Sequence, residues 1–215
     1  MGIQERKQRE RERRKQQIIV AAKRVFVKKG YGRATMESIA KEAELSAGTL
    51  YLYFRNKSEL WATLSVRVLQ YLLIRLEHLH SQSELDHKGK ISQLKAVLLD
   101  AYEFDPMIFK NLFNLQTSET LKELSPELIN EISALRQKTI NKIAAIFQQG
   151  INQGVCLDRH PMEIADIVWS MFSGVVLWGA GEKSGDSNSD RLKPTLETAF
   201  EIFEKGIFIQ EETVV

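Results

Sequence analysis

Residues 35–57, TMESIAKEAELSAGTLYLYFRNK, constrain this chain more than any other stretch, because they spell a helix, a tight turn and a second short helix. Thr35 stands where an N-cap belongs, and Ile39, Ala40 and Ala43 fall on one face of the helix that follows. Glu44, Leu45 and Ser46 leave room only for a turn, and Ser46 is placed to cap the next helix. In that second helix Leu50 and Phe54, one turn apart, are expected inside, with Gly48, Thr49 and Leu52 pointing away and Tyr51 and Tyr53 on the flanks. Small residues edged by phenol hydroxyls make a poor solvated surface and a good object for a DNA major groove. There, small side chains let the backbone approach base edges while hydroxyls reach phosphates.

Charge points the same way. The 215 residues carry a net charge of only +2. Residues 1–57, however, hold 15 Lys and Arg against 6 Asp and Glu, and the remainder holds 15 against 22. A basic end on an acidic body implies one face for a polyanion and another for something else. Residues 1–15, MGIQERKQRERERRK, have no apolar stripe and read as a basic arm, disordered or a frayed helical extension, suited to tracking phosphates or a minor groove. The single cysteine, Cys156, excludes an internal disulfide and suits a reducing cytoplasm, with a small buried residue as its expected role. The uncharged run Ile167 to Gly181 falls short of the roughly 20 residues a membrane span needs, so a buried helix is expected there and no membrane partner.

Periodicity along the chain is that of helices throughout, so the expected class is all-α with about nine helices and no sheet. Ile18, Ala22, Val25 and Phe26 form the stripe of a first helix over 16–29, stopped by Gly30. Asn56 and Glu59 open a long fourth helix whose Leu60, Leu64, Val68, Leu72 and Leu76 carry it to about His80. A fifth helix resumes near Ile91, and Pro106 restarts a sixth. Ser125-Pro126-Glu127 begins a seventh that ends near Gly154. Pro161 begins an almost wholly apolar eighth to Gly181, and a ninth runs from Leu192 to about Ile209.

Residues 16–62 resemble the tetracycline-repressor (TetR) family of bacterial transcriptional regulators. The resemblance lies in IIVAAKRVFVKKGY, in T-x-x-x-IA-x-x-A, and in LS-x-GTLY-x-YF-x-NK-x-x-LW. It implies a basic arm (1–15), a three-helix helix-turn-helix DNA-binding domain (16–60) and a helical effector-binding and dimerisation domain (61–215). It also implies a homodimeric regulator, a repressor released from a palindromic operator when a small effector binds. By position, Ala47, Gly48 and Thr49 fall where the family contacts base edges. Thr35, Tyr51, Tyr53 and Lys57 fall where it contacts phosphates, and Ser46 caps the recognition helix between them. Lys57 has a further reason to hold an anion, since it opens a helix whose amides attract the same charge. Leu52 departs from the usual polar or aromatic residue and could touch a thymine methyl or nothing.

In the body, the eighth helix is apolar on more than one face, and Ser170, Ser173, Gly174 and Gly179 permit close helix approach. With the ninth helix it suits a four-helix dimer seam. Aromatic residues gather around the Pro106 break (Tyr102, Phe104, Phe109, Phe113) and in the eighth helix (Trp169, Phe172), a set that could line a cavity for an apolar or aromatic effector. Histidines 78, 80, 87 and 160 complete no ligand set, so no metal or other cofactor is expected. No nucleophile–base pair, phosphate loop or paired-carboxylate motif argues for an enzyme. A DNA-binding regulator governed by a partner protein, or a helical metabolic enzyme, is the alternative.

Overall fold

The first helix keeps its backbone hydrogen bonds well beyond its apolar stripe. In the computed structural model, which describes residues 2–115, 119–181 and 189–209, α1 spans Ile3–Arg33 with a single break at Gly30 (φ 73°). Its buried residues begin only at Ile18, so the basic arm is an exposed helical extension. Gly30 takes the left-handed conformation that a side chain disfavours, and Ala34 N–H closes the turn on its carbonyl at 3.2 Å. Then follow α2 (Met36–Glu42), α3 (Ala47–Tyr51), α4 (Lys57–Ser81), α5 (His87–Phe104), α6 (Pro106–Leu115), a 3₁₀ turn (Glu119–Glu123), α7 (Pro126–Asn152), α8 (Pro161–Gly181) and α9 (Ser189–Ile207). Among the described residues there is no strand, only an isolated antiparallel bridge between Cys156 and Phe208. The chain is all-α, as its periodicity requires.

Two packed units emerge. One contains residues 1–67 together with 114–131; the other contains 68–113 and 132–215. The stretch around the 3₁₀ turn therefore packs with the N-terminal helices although it lies some fifty residues further along. Within α4, Leu60, Leu64, Val68, Leu72 and Leu76 are all at most 2% exposed, so the four-residue repeat is a true buried stripe. Each such side chain contributes about 1.5–3 kcal/mol on leaving water. In the second unit α8 buries Ile164, Val168, Phe172 and Val176, while α9 buries Leu196 and Phe200.

The opposite face of α8 is bare: Ile167, Ser170, Gly174 and Trp178 lie out in solvent, Trp178 at 78% exposure. On α9, Ile202 is 68% exposed. The surroundings of Gly179 lie outside the described residues. No described helix is long and apolar enough to cross a membrane.

Candidate nucleic-acid interface

Local hydrogen bonds fix α2 and α3. Thr35 Oγ1 accepts Ser38 N–H at 3.2 Å, and Ser38 Oγ returns the bond, accepting Thr35 N–H at 3.1 Å and donating to Thr35 O at 2.9 Å. Ser46 Oγ accepts Thr49 N–H at 3.0 Å and lies 2.8 Å from Thr49 Oγ1. The turn between them closes through Leu45 N–H to Ala40 O at 2.9 Å and requires Glu44 at φ 56°. Glu44 is thus held in the left-handed region that costs a side chain about 1–2 kcal/mol.

α3 ends at Tyr51, so Phe54 falls past the helix and not within it as expected, but over α3 and the turn after it the expected division of faces is present. Leu50 and Phe54 are buried, while Leu52 is 76% and Tyr51 49% exposed. Thr35, Ser46 and Gly48 are exposed, and Ala47, Thr49 and Tyr53 are half-buried. A Cβ added to Gly48 would meet nothing nearer than Ser46 Oγ at 3.8 Å, and Gly48 has no positive φ. The fold gives no reason for a glycine there, which in a helix costs about 1 kcal/mol.

The head of α4 holds residues that periodicity does not single out. Asn56 Oδ1 caps the helix through Glu59 N–H at 2.8 Å, and Glu59 Oε2 accepts Arg55 N–H at 2.8 Å. Asn56 Nδ2 donates to the carbonyl of Glu123 at 3.0 Å, and Ser58 Oγ donates to the Glu123 carboxylate. Because that bond uses the only hydroxyl hydrogen of Ser58, Tyr31 must be the donor in its 2.8 Å bond to Ser58 Oγ. The Tyr31 ring packs against Phe26 and Trp61, joining the end of α1 to α4. Lys57, expected at a phosphate, directs its ammonium to the carbonyls of Tyr31 (3.0 Å), Gly32 (3.5 Å) and Ala34 (3.2 Å), and sits 4.5 Å from the centre of the Tyr31 ring. At the end of the arm, Lys15 Nζ lies 5.9 Å from the ring of Phe54, three residues past α3.

In the second unit four of the six chosen aromatics form one continuous chain. Tyr102 meets Phe109 at 6.3 Å between ring centres, Phe109 meets Phe172 at 5.4 Å, and Phe172 meets Trp169 at 6.3 Å. Burial raises the Tyr102 phenol above its ordinary pKa. Phe104 lies elsewhere: it is 51% exposed and stacked on Tyr71 at 4.1 Å. The Tyr71 hydroxyl donates to Asp100 at 2.8 Å, and that hydrogen bond raises the phenol's pKa. The side chain of Phe113 lies outside the described residues. No group of three or more His, Cys, Asp or Glu among the described residues could hold a metal.

An exposed short helix set on a capped partner by a tight turn, within a basic module of an all-α chain, defines a helix-turn-helix protein. Residues 18–64 match the family model described as bacterial regulatory proteins, tetR family, and the chain belongs to that family. It is similar to the HTH-type transcriptional regulator TtgR of Pseudomonas putida, 31% identical over 67% of this chain and 59% of that one. The matched part spans about six-tenths of the length of such curated relatives. Among solved structures, the TetR-family regulator PfmR of Thermus thermophilus aligns with TM-score 0.69 and 23% identity, over 88% of this chain and 97% of that one. The Thermus thermophilus repressor FadR in complex with lauroyl-CoA aligns with TM-score 0.66 and 19% identity, over 94% and 98%. At these identities the structures share the fold.

Proposed function

We propose that the chain is a cytoplasmic transcriptional repressor that grips a palindromic operator as a homodimer and lets go when a small effector binds its helical body. The observation that carries the DNA-reading part is Gly48, a glycine in open space on the outer face of an exposed helix. Its missing side chain is accounted for by something that comes close from outside, and base edges in a major groove do so. Ala47, Gly48 and Thr49 then face bases, and Leu52 can meet a thymine methyl. Thr35, Tyr51 and Tyr53 supply hydroxyls to phosphates, with Ser46 holding the helix end.

The bare faces of α8 and α9, with Ile167, Trp178 and Ile202, favour pairing with a second copy. A two-fold dimer presents two recognition helices about 34–36 Å apart, one turn of DNA. For the effector, the aromatic chain from Tyr102 to Trp169 favours an apolar or aromatic molecule. The fold's occurrence in a protein solved with lauroyl-CoA agrees with a ligand that carries an apolar chain. An effector that prefers one separation of the recognition helices weakens DNA binding by as much as its affinities for the two states differ.

Fluorescence anisotropy with a duplex from the chain's own upstream DNA tests the reading. Binding is expected to be sequence-dependent and to weaken steeply with salt. Affinity no greater than for random sequence, at every salt concentration, overturns it.

A further inference from the structure

We propose that the close of α4, the head of α5 and the facing part of α7 form a binding site for a small oxyanion, a phosphate or a carboxylate, held among His80, His87, Lys90 and Lys142. All four residues lie in the second unit, so the site stands or falls independently of the DNA-reading proposal.

Basic residues stand here where the helices call for apolar ones. On α4, His80 follows the buried Leu72 and Leu76 at the same four-residue step. On α5, Ile91, Leu94 and Leu98 are buried, and His87 and Lys90 each precede a member of that stripe by four residues. Lys90 is only 6% exposed, and its ammonium, with three N–H bonds, donates to the carbonyl of His80 at 2.9 Å. Neither Lys90 nor Lys142 makes an ion pair with a described carboxylate. An ammonium taken out of water normally has a counter-charge. His80 and His87 each bury an Nδ1 atom that has no hydrogen-bond partner. The four groups also feel one another: after desolvation, Lys142, Lys90 and His87 hold the His80 imidazole below its ordinary pKa.

An oxyanion removes that repulsion and accepts from ammonium and imidazole N–H groups alike, in bonds strengthened by charge. Two ammoniums beside the imidazoles turn the pair away from a metal cation. Tyr102 is fifteen residues beyond His87 along α5, about 22 Å by helix rise, so the site is separate from the aromatic chain.

Imidazole proton resonances of the full chain test the site, followed as sodium chloride is replaced by sodium phosphate at constant ionic strength and near-neutral pH. A second arm uses sodium acetate. Saturable shifts are expected at His80 and His87, while the exposed His160 shows only a linear drift. Saturation with phosphate alone assigns a phosphate site, and saturation with acetate assigns a carboxylate site. Linear drift at all of these histidines in both arms overturns the proposal.

Lys142→Gln is expected to weaken the saturating anion at least about tenfold, the worth of one charge-assisted hydrogen bond. Lys193→Gln makes the same charge change at an exposed position of α9 and is expected to leave the affinity unchanged. Equal affinity in the wild type and Lys142→Gln overturns the site. So does an equal loss in both variants, which reports only the net charge of the chain. If Lys142→Gln fails to fold, the wild-type titration decides.

Discussion

Ser58 and Glu123 stand 65 positions apart in sequence, yet the serine hydroxyl donates directly to the glutamate carboxylate. Asn56 adds a bond to the Glu123 carbonyl at 3.0 Å, so the 3₁₀ turn is fastened to the first residues of α4 through both its side chain and its backbone. Replacing Glu123 with Ala removes only the carboxylate. The chain is expected to lose about 1 kcal/mol of stability in a urea titration, the worth of a charge-assisted bond in a partly wetted setting. Amides 119–123 are expected to exchange faster, while those of α2 keep their wild-type rates.

Gly48→Ala separates folding from recognition. A Cβ has room there, so the variant is expected to gain up to about 1 kcal/mol in thermal or urea unfolding. The same methyl stands between the backbone and the base edges, so affinity for the upstream duplex is expected to drop while affinity for random DNA stays. A variant that is more stable and equally specific would remove Gly48 from the interface.

Glu44 occupies a backbone region suited to glycine, at φ 56°. Glu44→Gly relieves the conformational strain and gives back part of the gain as added freedom in the unfolded chain. A net increase of about 1 kcal/mol in unfolding free energy is expected. Loss of a negative charge near the recognition helix is also expected to tighten binding to any duplex at low salt.

The His80 imidazole is held below its ordinary value of 6.5, first by desolvation and then by Lys142, Lys90 and His87. The unfolded chain therefore binds a proton more readily than the folded one. This contribution to stability is complete above pH 6.5 and is lost as pH falls through the lower, folded value. Urea midpoints measured across that range are expected to fall less steeply toward acid in His80→Asn than in the wild type.

Ile167 and Trp178 lie three turns apart on one exposed face of α8. Changing both to Glu places two charges where a second copy is proposed to pack. Sedimentation is expected to shift from dimer to monomer with helical content unchanged.

Local rules are what the sequence states openly. Thr35, Ser46 and Asn56 cap the helices they precede, and the four-residue leucine repeat in α4 is buried along its length. Each rests on neighbours within one turn. Lys57 escapes such reasoning because its acceptors lie 23 to 26 residues upstream, where only the folded corner gathers them. Phe104 escapes for another reason: the backbone at Asp105 (φ −158°, ψ 83°) breaks the helix and resets its phase. Even an unbroken helix would set Phe104 and Phe109, five positions apart, about 140° from each other, so closeness in sequence does not put them on one face, and Phe104 looks out while Phe109 is buried. The bond from Ser58 to Glu123 is the most hidden, since nothing in residues 119–123 marks them as companions of the N-terminal helices.

The helical arm has a mechanical consequence. From Ile3 to Gln17 it projects about 22 Å past the first buried side chain, as a rod and not as a loose string. A rod cannot wrap. It holds its arginines at set intervals along one heading, so an anionic surface it touches must already run parallel to it, and little ordering entropy is lost at contact.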